Sequence, residues 1–207
     1  MNRVFLLFAA SLTAQTLTVE KEQALGRGLA QELRRTARPF EAPVAAAYVQ
    51  QAGAELAGIV SGQKFTFELA RIEARDPIGL IGGPVFVPPE ALSRANSERE
   101  FLEMLAHAMG HIVLRHGLVQ GRPGTIPLIF MGGWQGVHSD PSRVGWSVLP
   151  ALAREKLPVF EAEAESYARE LMGRLESRPD SAEFEAAQAE VRELLARPEK
   201  KALTLRR

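Results

Sequence analysis

The chain has 207 residues, 25 basic and 25 acidic side chains, a formal net charge of zero and no cysteine. Its hydrophobic fraction of 46% is typical of a folded globular protein and excludes an intrinsically disordered chain, because burying that much apolar surface offsets the entropy of ordering. The zero net charge argues against a nucleic-acid binder that acts through bulk electrostatics. Without cysteine there are no disulfides, thiol nucleophiles or zinc ribbons, so a metal site must use histidine and carboxylate ligands.

The N-terminal segment has the plan of a secretory signal. Arg3 is followed by a core of about ten apolar residues and then by small residues up to Ala14. A run of this length is too short to span a bilayer, which takes roughly 20 apolar residues. A buried N-terminal helix is the alternative, but the charged residues at 20–22 end the apolar pattern. We therefore predict a signal peptide over 1–14, export to the periplasm or the cell exterior, no transmembrane span, and one domain over 15–207.

Hydrophobic periodicity predicts helices arranged around a small sheet. The segments with a helical pattern are 18–35, 43–60, a long helix from Ser97, 151–175 and 181–196. Alternating, β-rich residues predict three short strands at 64–72, 78–81 and 85–87. Asp76-Pro77 and Gly82-Gly83 predict the turns between them, and Pro88-Pro89 is predicted to end the last strand. The stretch 119–150 holds much glycine and proline among apolar side chains and is predicted to be a loop or lid.

The long helix from Ser97 carries a pair of histidines. Ser97 and Glu100 are expected to form a capping box at its start. Its apolar residues share one arc that must face the core, and they are Phe101, Leu102, Leu105, Met109, Ile112 and Val113. His107 and His111 lie opposite this arc and one turn apart, at the spacing with which two imidazoles bind a single zinc ion. A pair of surface histidines is the alternative, because chance pairs at this spacing are common.

The helix predicted at 151–175 places carboxylates where apolar side chains are expected. Glu161 and Glu165 fall within its apolar arc, and an ionised carboxylate that faces a core is costly unless a cation or hydrogen-bond donors compensate it. One Zn²⁺ bound by His107, His111 and Glu161 would explain both the histidines and the misplaced glutamate. Three protein ligands leave open the fourth position, as in catalytic zinc sites. An ion pair between Glu161 and an arginine of another helix, such as Arg115, is the alternative.

The residues around both motifs resemble peptidase family M forty-eight, which contains the CAAX prenyl proteases, the HtpX-like membrane proteases and the periplasmic assembly proteases. The stretch His107-Ala108-Met109-Gly110-His111 stands where that family has its HExxH motif, preceded by Ser97-Glu98-Arg99-Glu100 and followed by Arg115-His116. The stretch Glu161-Ala162-Glu163-Ala164-Glu165 is similar to the family's second motif, a glutamate ligand four residues before an aspartate. Residues 64–88 occupy the place of the family's Gly-Gly hairpin, so the resemblance covers about 40–175.

The resemblance implies a mostly helical α+β domain of the zincin type with a small antiparallel sheet. It also implies one bound Zn²⁺ and a groove that takes an extended polypeptide along the edge of the sheet. Two positions depart from the family's pattern. Ala108 replaces the glutamate that takes a proton from the zinc-bound water, and loss of such a general base typically costs roughly 10²–10⁴-fold in rate. Glu165 replaces the family's aspartate and is one methylene longer.

These departures favour a peptide-binding, chaperone-like pseudoprotease of the cell envelope, with weak or absent hydrolysis. A working zinc metalloendopeptidase that uses a rescuing carboxylate is the first alternative. A structural protein with a decayed zinc site is the second.

Three further residues are candidates for contacts around the ion. Glu103 lies one turn before His107 and is expected either on the solvated surface or hydrogen-bonded to a ligand imidazole. His116 is expected to cap the C-terminal end of its helix, and a contact with a metal ligand is the alternative. His138 is a lone histidine of the predicted loop, and the options for it are an exposed side chain, an additional ligand or a donor to a substrate oxyanion.

Overall fold

The computed structural model of the protein describes residues 18–116, 118–119, 128–129, 151–177 and 179–197. The predicted signal peptide, His138 and most of the predicted loop at 119–150 lie outside these residues. The described part of the chain is mostly helical with a small sheet, which confirms the predicted α+β class. None of its helices is both long enough and apolar enough to cross a bilayer.

The predicted helices are found close to their expected positions. In chain order the helices are α1 (Val19–Thr36), α2 (Pro43–Ile59), α3 (Pro89–Arg94), α4 (Glu98–Val113), α5 (Ala151–Met172) and α6 (Ala182–Ala196). The hydroxyls of Thr18, Ser97 and Ser181 each accept a hydrogen bond from a backbone N–H of the following turn, so they define the starts of α1, α4 and α6. The capping box of α4 differs in one bond from the prediction, because Glu100 accepts from the backbone and side-chain N–H groups of Asn96.

Three strands form a mixed sheet, with β1 (Thr66–Leu69) and β2 (Ile78–Gly79) on either side of β3 (Pro84–Val87). The β2–β3 hairpin is antiparallel. Strand β1, however, pairs with β3 in parallel, so the prediction of a wholly antiparallel sheet is wrong. After β1, the segment 70–77 leads to β2, which is not next to β1 in the sheet. The hairpin turn then brings β3 into the position between β1 and β2.

Glycine and proline determine how the sheet connects to its neighbours. Gly82 and Gly83 have φ angles of 78° and 120°, and a Cβ at Gly83 would collide with the carbonyl oxygen of Lys64. Pro88 and Pro89 end β3, as predicted. They also begin α3, a helix that periodicity does not predict. Proline is compatible with the first turn of a helix because the N–H that it lacks would be unpaired there.

Two strands of two residues each lie at the predicted loop. Strands β4 (Leu118–Val119) and β5 (Leu128–Ile129) pair in antiparallel fashion, so the described part of this region forms a short ribbon rather than an irregular loop.

The main core surrounds α4. Its largest fully buried apolar side chains come from α2, α3, α4, α6 and β3, and they are Val49, Leu56, Val85, Val87, Leu92, Phe101, Leu105, Met109 and Phe184. Helix α4 also packs against β2 on one side and against α5 on another. At β2 the approach is so close that a Cβ on Gly79 would collide with the carbonyl oxygen of Ala108. His111 is buried in this packing, so the surface-histidine alternative is not what the structure shows for His111, whereas His107 is partly exposed.

A buried glutamate joins three helices at the start of α4. Glu98 is 3% exposed; one of its carboxylate oxygens accepts from the Tyr48 hydroxyl at 3.1 Å, and the other accepts from the Ser181 backbone N–H at 2.8 Å. In return, the backbone N–H of Glu98 donates to the Asp180 carboxylate at 2.8 Å. These bonds satisfy polar groups that would otherwise be buried without partners, and they tie α4 to α2 and to the start of α6.

Candidate metal centre

The close packing of α5 on α4 depends on a glycine. A Cβ on Gly110 would lie 3.1 Å from the carbonyl oxygen of Ala164 and 3.1 Å from a ring carbon of Tyr167. Because Gly110 has no side chain, the two helices approach to the distance of direct backbone contact. Glu161 lies one turn before Ala164 on α5, and it therefore reaches the histidine face of α4.

His107, His111 and Glu161 converge, as predicted. The Nε2 atoms of the two histidines are 3.0 Å apart. Glu161 places Oε2 at 3.1 Å from His107 Nε2 and Oε1 at 3.6 Å from His111 Nε2. The three side chains thus direct one ligand atom each into a common space, with all of these atoms within 4.8 Å of one another, and the group could hold a metal ion.

The electrostatics of Glu161 favour a bound cation. Interactions with His107, and next with His111, lower the pKa of Glu161 to about 2, against the desolvation that would raise it. The Oε1 atom of Glu161 is buried and has no hydrogen-bond partner among the described residues. A buried carboxylate oxygen without a donor is costly, and a metal ion between it and the two imidazoles would supply the missing partner.

The centre is open on one side. The side chain of His107 is 29% exposed and that of Glu161 is 25% exposed, whereas His111 is 1% exposed. A ligand that approaches from solvent therefore meets His107 and Glu161 first, with His111 behind them.

His116 lies next to His111, just after the C-terminal end of α4. Its backbone N–H donates to the carbonyl of His111, and the Arg115 N–H donates to the carbonyl of Ile112, which is the bonding pattern of a Schellman motif. Arg115 adopts the left-handed conformation, with φ of 57°, that this motif requires after a helix. The backbone of His116 therefore ends the helix, and the expected capping of carbonyls by its side chain is not observed.

The imidazole of His116 instead contacts a candidate ligand. Its Nδ1 lies 3.2 Å from His111 Nδ1, and its Nε2 lies 3.0 Å from the Oε2 atom of Glu163 on α5. The ring is stacked on Phe160, with 4.4 Å between the ring centroids. Burial is the largest cause that lowers the pKa of His116, and the charge of His111 is the second. Glu163 raises this pKa, but the net shift is downward and favours the neutral imidazole.

The structure places the other candidates from the sequence in different surroundings. Ala108 is fully buried in the main core. Glu165 is exposed, so its predicted place on the core-facing arc is wrong: the buried positions around it are Ala164 and Ala168. Glu103 is exposed and pairs with Arg99 at 3.3 Å, in line with the solvated-surface option.

Two partners differ from the sequence interpretation. Arg115 forms an ion pair with Glu22 of α1, whereas the carboxylate of Glu161 contacts the two histidines. For Glu163 the sequence predicts no contact, but this half-exposed side chain hydrogen-bonds His116. The only signal for this contact in the sequence is the histidine five residues after His111, and that spacing carries little information until the end of α4 is known.

A comparison of the chain with models of known protein families finds no match, and a comparison with curated protein sequences finds no similar protein.

Proposed function

We propose that His107, His111 and Glu161 bind one Zn²⁺ ion. Donor atoms bound to zinc at about 2.0–2.1 Å in tetrahedral geometry lie about 3.3 Å from one another. The two Nε2 atoms are 3.0 Å apart, and each has one Glu161 oxygen near this distance, with Oε2 at 3.1 Å from His107 and Oε1 at 3.6 Å from His111. Two imidazole nitrogens and one carboxylate are also a ligand set that suits zinc. The observation that carries the proposal is the buried Oε1 of Glu161, which has no hydrogen-bond partner among the described residues and lies 3.6 Å from His111 Nε2.

We further propose that the chain is a zincin-type, peptidase-like protein that binds extended polypeptide outside the cytoplasm. This rests on the motif resemblance, on the exposed side of His107, and on β2, which lies at the edge of the sheet and against α4. Zinc bound by these ligands would act as a Lewis acid towards a carbonyl oxygen of the polypeptide. An edge strand offers backbone hydrogen bonds to such a chain.

We propose that the protein binds polypeptide but hydrolyses it weakly or not at all. Ala108 has no group that accepts a proton, Glu103 is paired with Arg99 at the surface, and Glu165 is exposed. None of these three positions therefore supplies the proton transfer that peptide hydrolysis needs.

Metal analysis with matched variants tests the zinc site. The purified protein is expected to hold about one equivalent of zinc, as three-ligand sites do, and His107→Ala, His111→Ala and Glu161→Gln are expected to lose it. Glu170→Ala is the control, because Glu170 is on the same helix but is exposed and paired with Arg174. Zinc-free protein, or unchanged binding by the Glu161→Gln variant, would contradict the site and favour a structural protein.

A protease assay tests the lack of hydrolysis. The zinc-loaded protein is expected to bind unfolded casein without cleaving it, while Ala108→Glu raises zinc-dependent cleavage. Because Ala108 is fully buried, the variant's folding is checked by circular dichroism, and its zinc content shows whether the site survives. Zinc-dependent cleavage by the unaltered protein that His107→Ala abolishes would replace the pseudoprotease proposal with an active metalloendopeptidase.

A further inference from the structure

We propose that His116 and Glu163 are positioning residues that hold the His111 imidazole in the tautomer and orientation needed to bind the ion. The inference rests on the proposed zinc site, and it assigns a role to two side chains that do not themselves reach the ion.

Three groups form a continuous chain of contacts that ends at His111 Nε2. Glu163 Oε2 lies 3.0 Å from His116 Nε2, and His116 Nδ1 lies 3.2 Å from His111 Nδ1. Each separation is a hydrogen-bond distance, so each contact needs one donor and one acceptor. The far side of the His111 ring, its Nε2, faces His107 and Glu161.

The placement of protons along this chain follows from the acceptor at its outer end. A carboxylate accepts only, so His116 Nε2 carries the proton that bonds to Glu163. The two Nδ1 atoms, 3.2 Å apart, share one proton, and the arrangement that leaves His111 Nε2 free to bind the ion places this proton on His111 Nδ1, with the lone pair of His116 Nδ1 as its acceptor. His111 Nε2 is then unprotonated and presents its lone pair to the ion. In the metal-free protein, His107 Nε2 is then protonated and donates a hydrogen bond to Oε2 of Glu161.

The position of His116 is restrained from several directions. The Schellman motif places it over His111, and Phe160 stacks against its ring at an interplanar angle of 14°. The residue is 3% exposed. Phe160 and Glu163 are one turn apart on α5, the helix that also supplies the ligand Glu161. The same helix thus supports His116 and contributes directly to the centre, so the orientation of His111 is coupled to the packing of α5.

Imidazole NMR of the metal-free protein gives the direct test. With ¹⁵N-labelled histidine, His111 is expected to be protonated at Nδ1 and unprotonated at Nε2, and His116 to be protonated at Nε2. A structural role alone does not require this pattern. Protonation of His111 at Nε2 as the main tautomer would overturn the inference.

Zinc affinity, measured by competition with a chelator, gives the second test. His116→Phe preserves an aromatic ring against Phe160 but removes both nitrogens, and it is expected to weaken zinc binding about 10- to 100-fold. Glu163→Ala is expected to weaken binding in the same direction. Glu163→Gln, which keeps an acceptor oxygen, is expected to restore most of the affinity, and Glu170→Ala is the control.

The two proposals fail in different ways. If the unaltered protein binds no zinc, the proposed site fails, while the tautomer measurement still tests the proton arrangement. If the unaltered protein binds zinc and a folded His116→Phe variant binds it equally well, only the positioning role is overturned.

Discussion

Gly110 on α4 lies against the backbone of Ala164 on α5, so that a Cβ on Gly110 would come within 3.1 Å of the Ala164 carbonyl oxygen. Real Cβ atoms rarely approach other atoms so closely, and a carbonyl within a helix cannot move aside as a flexible side chain can. The distance between His111 and Glu161 is set by the separation of these two helices. Gly110 therefore controls the geometry of the candidate metal centre although it carries no chemical group.

Gly110→Val is predicted to weaken zinc binding at least about tenfold and to destabilise the fold by about 1–3 kcal/mol, the usual cost of overpacking. The added methyl groups push α5 away and move Glu161 from the two histidines. Urea unfolding and chelator competition measure the two effects. Gly28→Val on α1 is the matched control, because a Cβ there meets nothing within 4 Å. Unchanged zinc affinity in a folded Gly110→Val variant would contradict the prediction.

The pKa of Glu161 predicts how the stability of the metal-free protein depends on pH. Its folded-state pKa is about 2, below the ordinary value of 4.5, so ionised Glu161 stabilises the folded state above pH 4.5. That contribution is lost as the pH falls from 4.5 towards 2. The free energy of unfolding of the unaltered protein relative to Glu161→Gln is therefore expected to decrease over this range, as measured by urea unfolding. A carboxyl ¹³C titration of Glu161 with its midpoint at or above 4.5 would be the contrary result.

The left-handed conformation of Arg115 predicts opposite effects of two substitutions. Arg115→Gly removes a conformational cost of about 1–2 kcal/mol at φ of 57°, and it preserves the Schellman motif and the zinc affinity. Arg115→Ile, with a β-branched side chain in the same conformation, is expected to displace His116 and to weaken zinc binding. Glu22→Gln controls for loss of the Arg115–Glu22 ion pair, and it is expected to leave zinc affinity unchanged. Equal zinc affinity of the glycine and isoleucine variants would show that the turn does not position His116.

Glu98 is predicted to matter for stability and not for metal binding. Glu98→Ala leaves the Ser181 N–H and the Tyr48 hydroxyl without the acceptor, at about 1–3 kcal/mol for each buried group that finds no other partner. Tyr48→Phe removes only one of these bonds and is expected to cost about 1 kcal/mol. Both are measured by urea unfolding. Zinc affinity of the folded variants is expected to be unchanged, because Glu98 precedes His107 by nine residues, which is roughly 13 Å along the helix. A large loss of zinc affinity would contradict this separation.

The sequence predicted those features that depend on residues close together in the chain. The start of α4 follows from its serine cap and apolar period, and the pairing of His107 with His111 follows from the rise and turn of a helix. Glu161 could be selected because it interrupts an apolar pattern within its own helix. Each of these inferences uses only the period of 3.6 residues, which local backbone geometry imposes.

Packing between distant segments decided the rest. Whether β1 pairs with β3 in parallel depends on which edge of the hairpin β1 meets, and the local pattern of either strand is compatible with both arrangements. Glu165 is exposed because α4 covers the side of α5 that holds Ala164 and Ala168. Periodicity defines the rotation of a helix about its own axis only to within about one residue, so it did not decide which of these positions is buried. The contact of His116 with Glu163 requires both the end of α4 and the docking of α5. Periodicity determines which residues share a face, but the contacts between elements determine which faces are buried and which side chains meet.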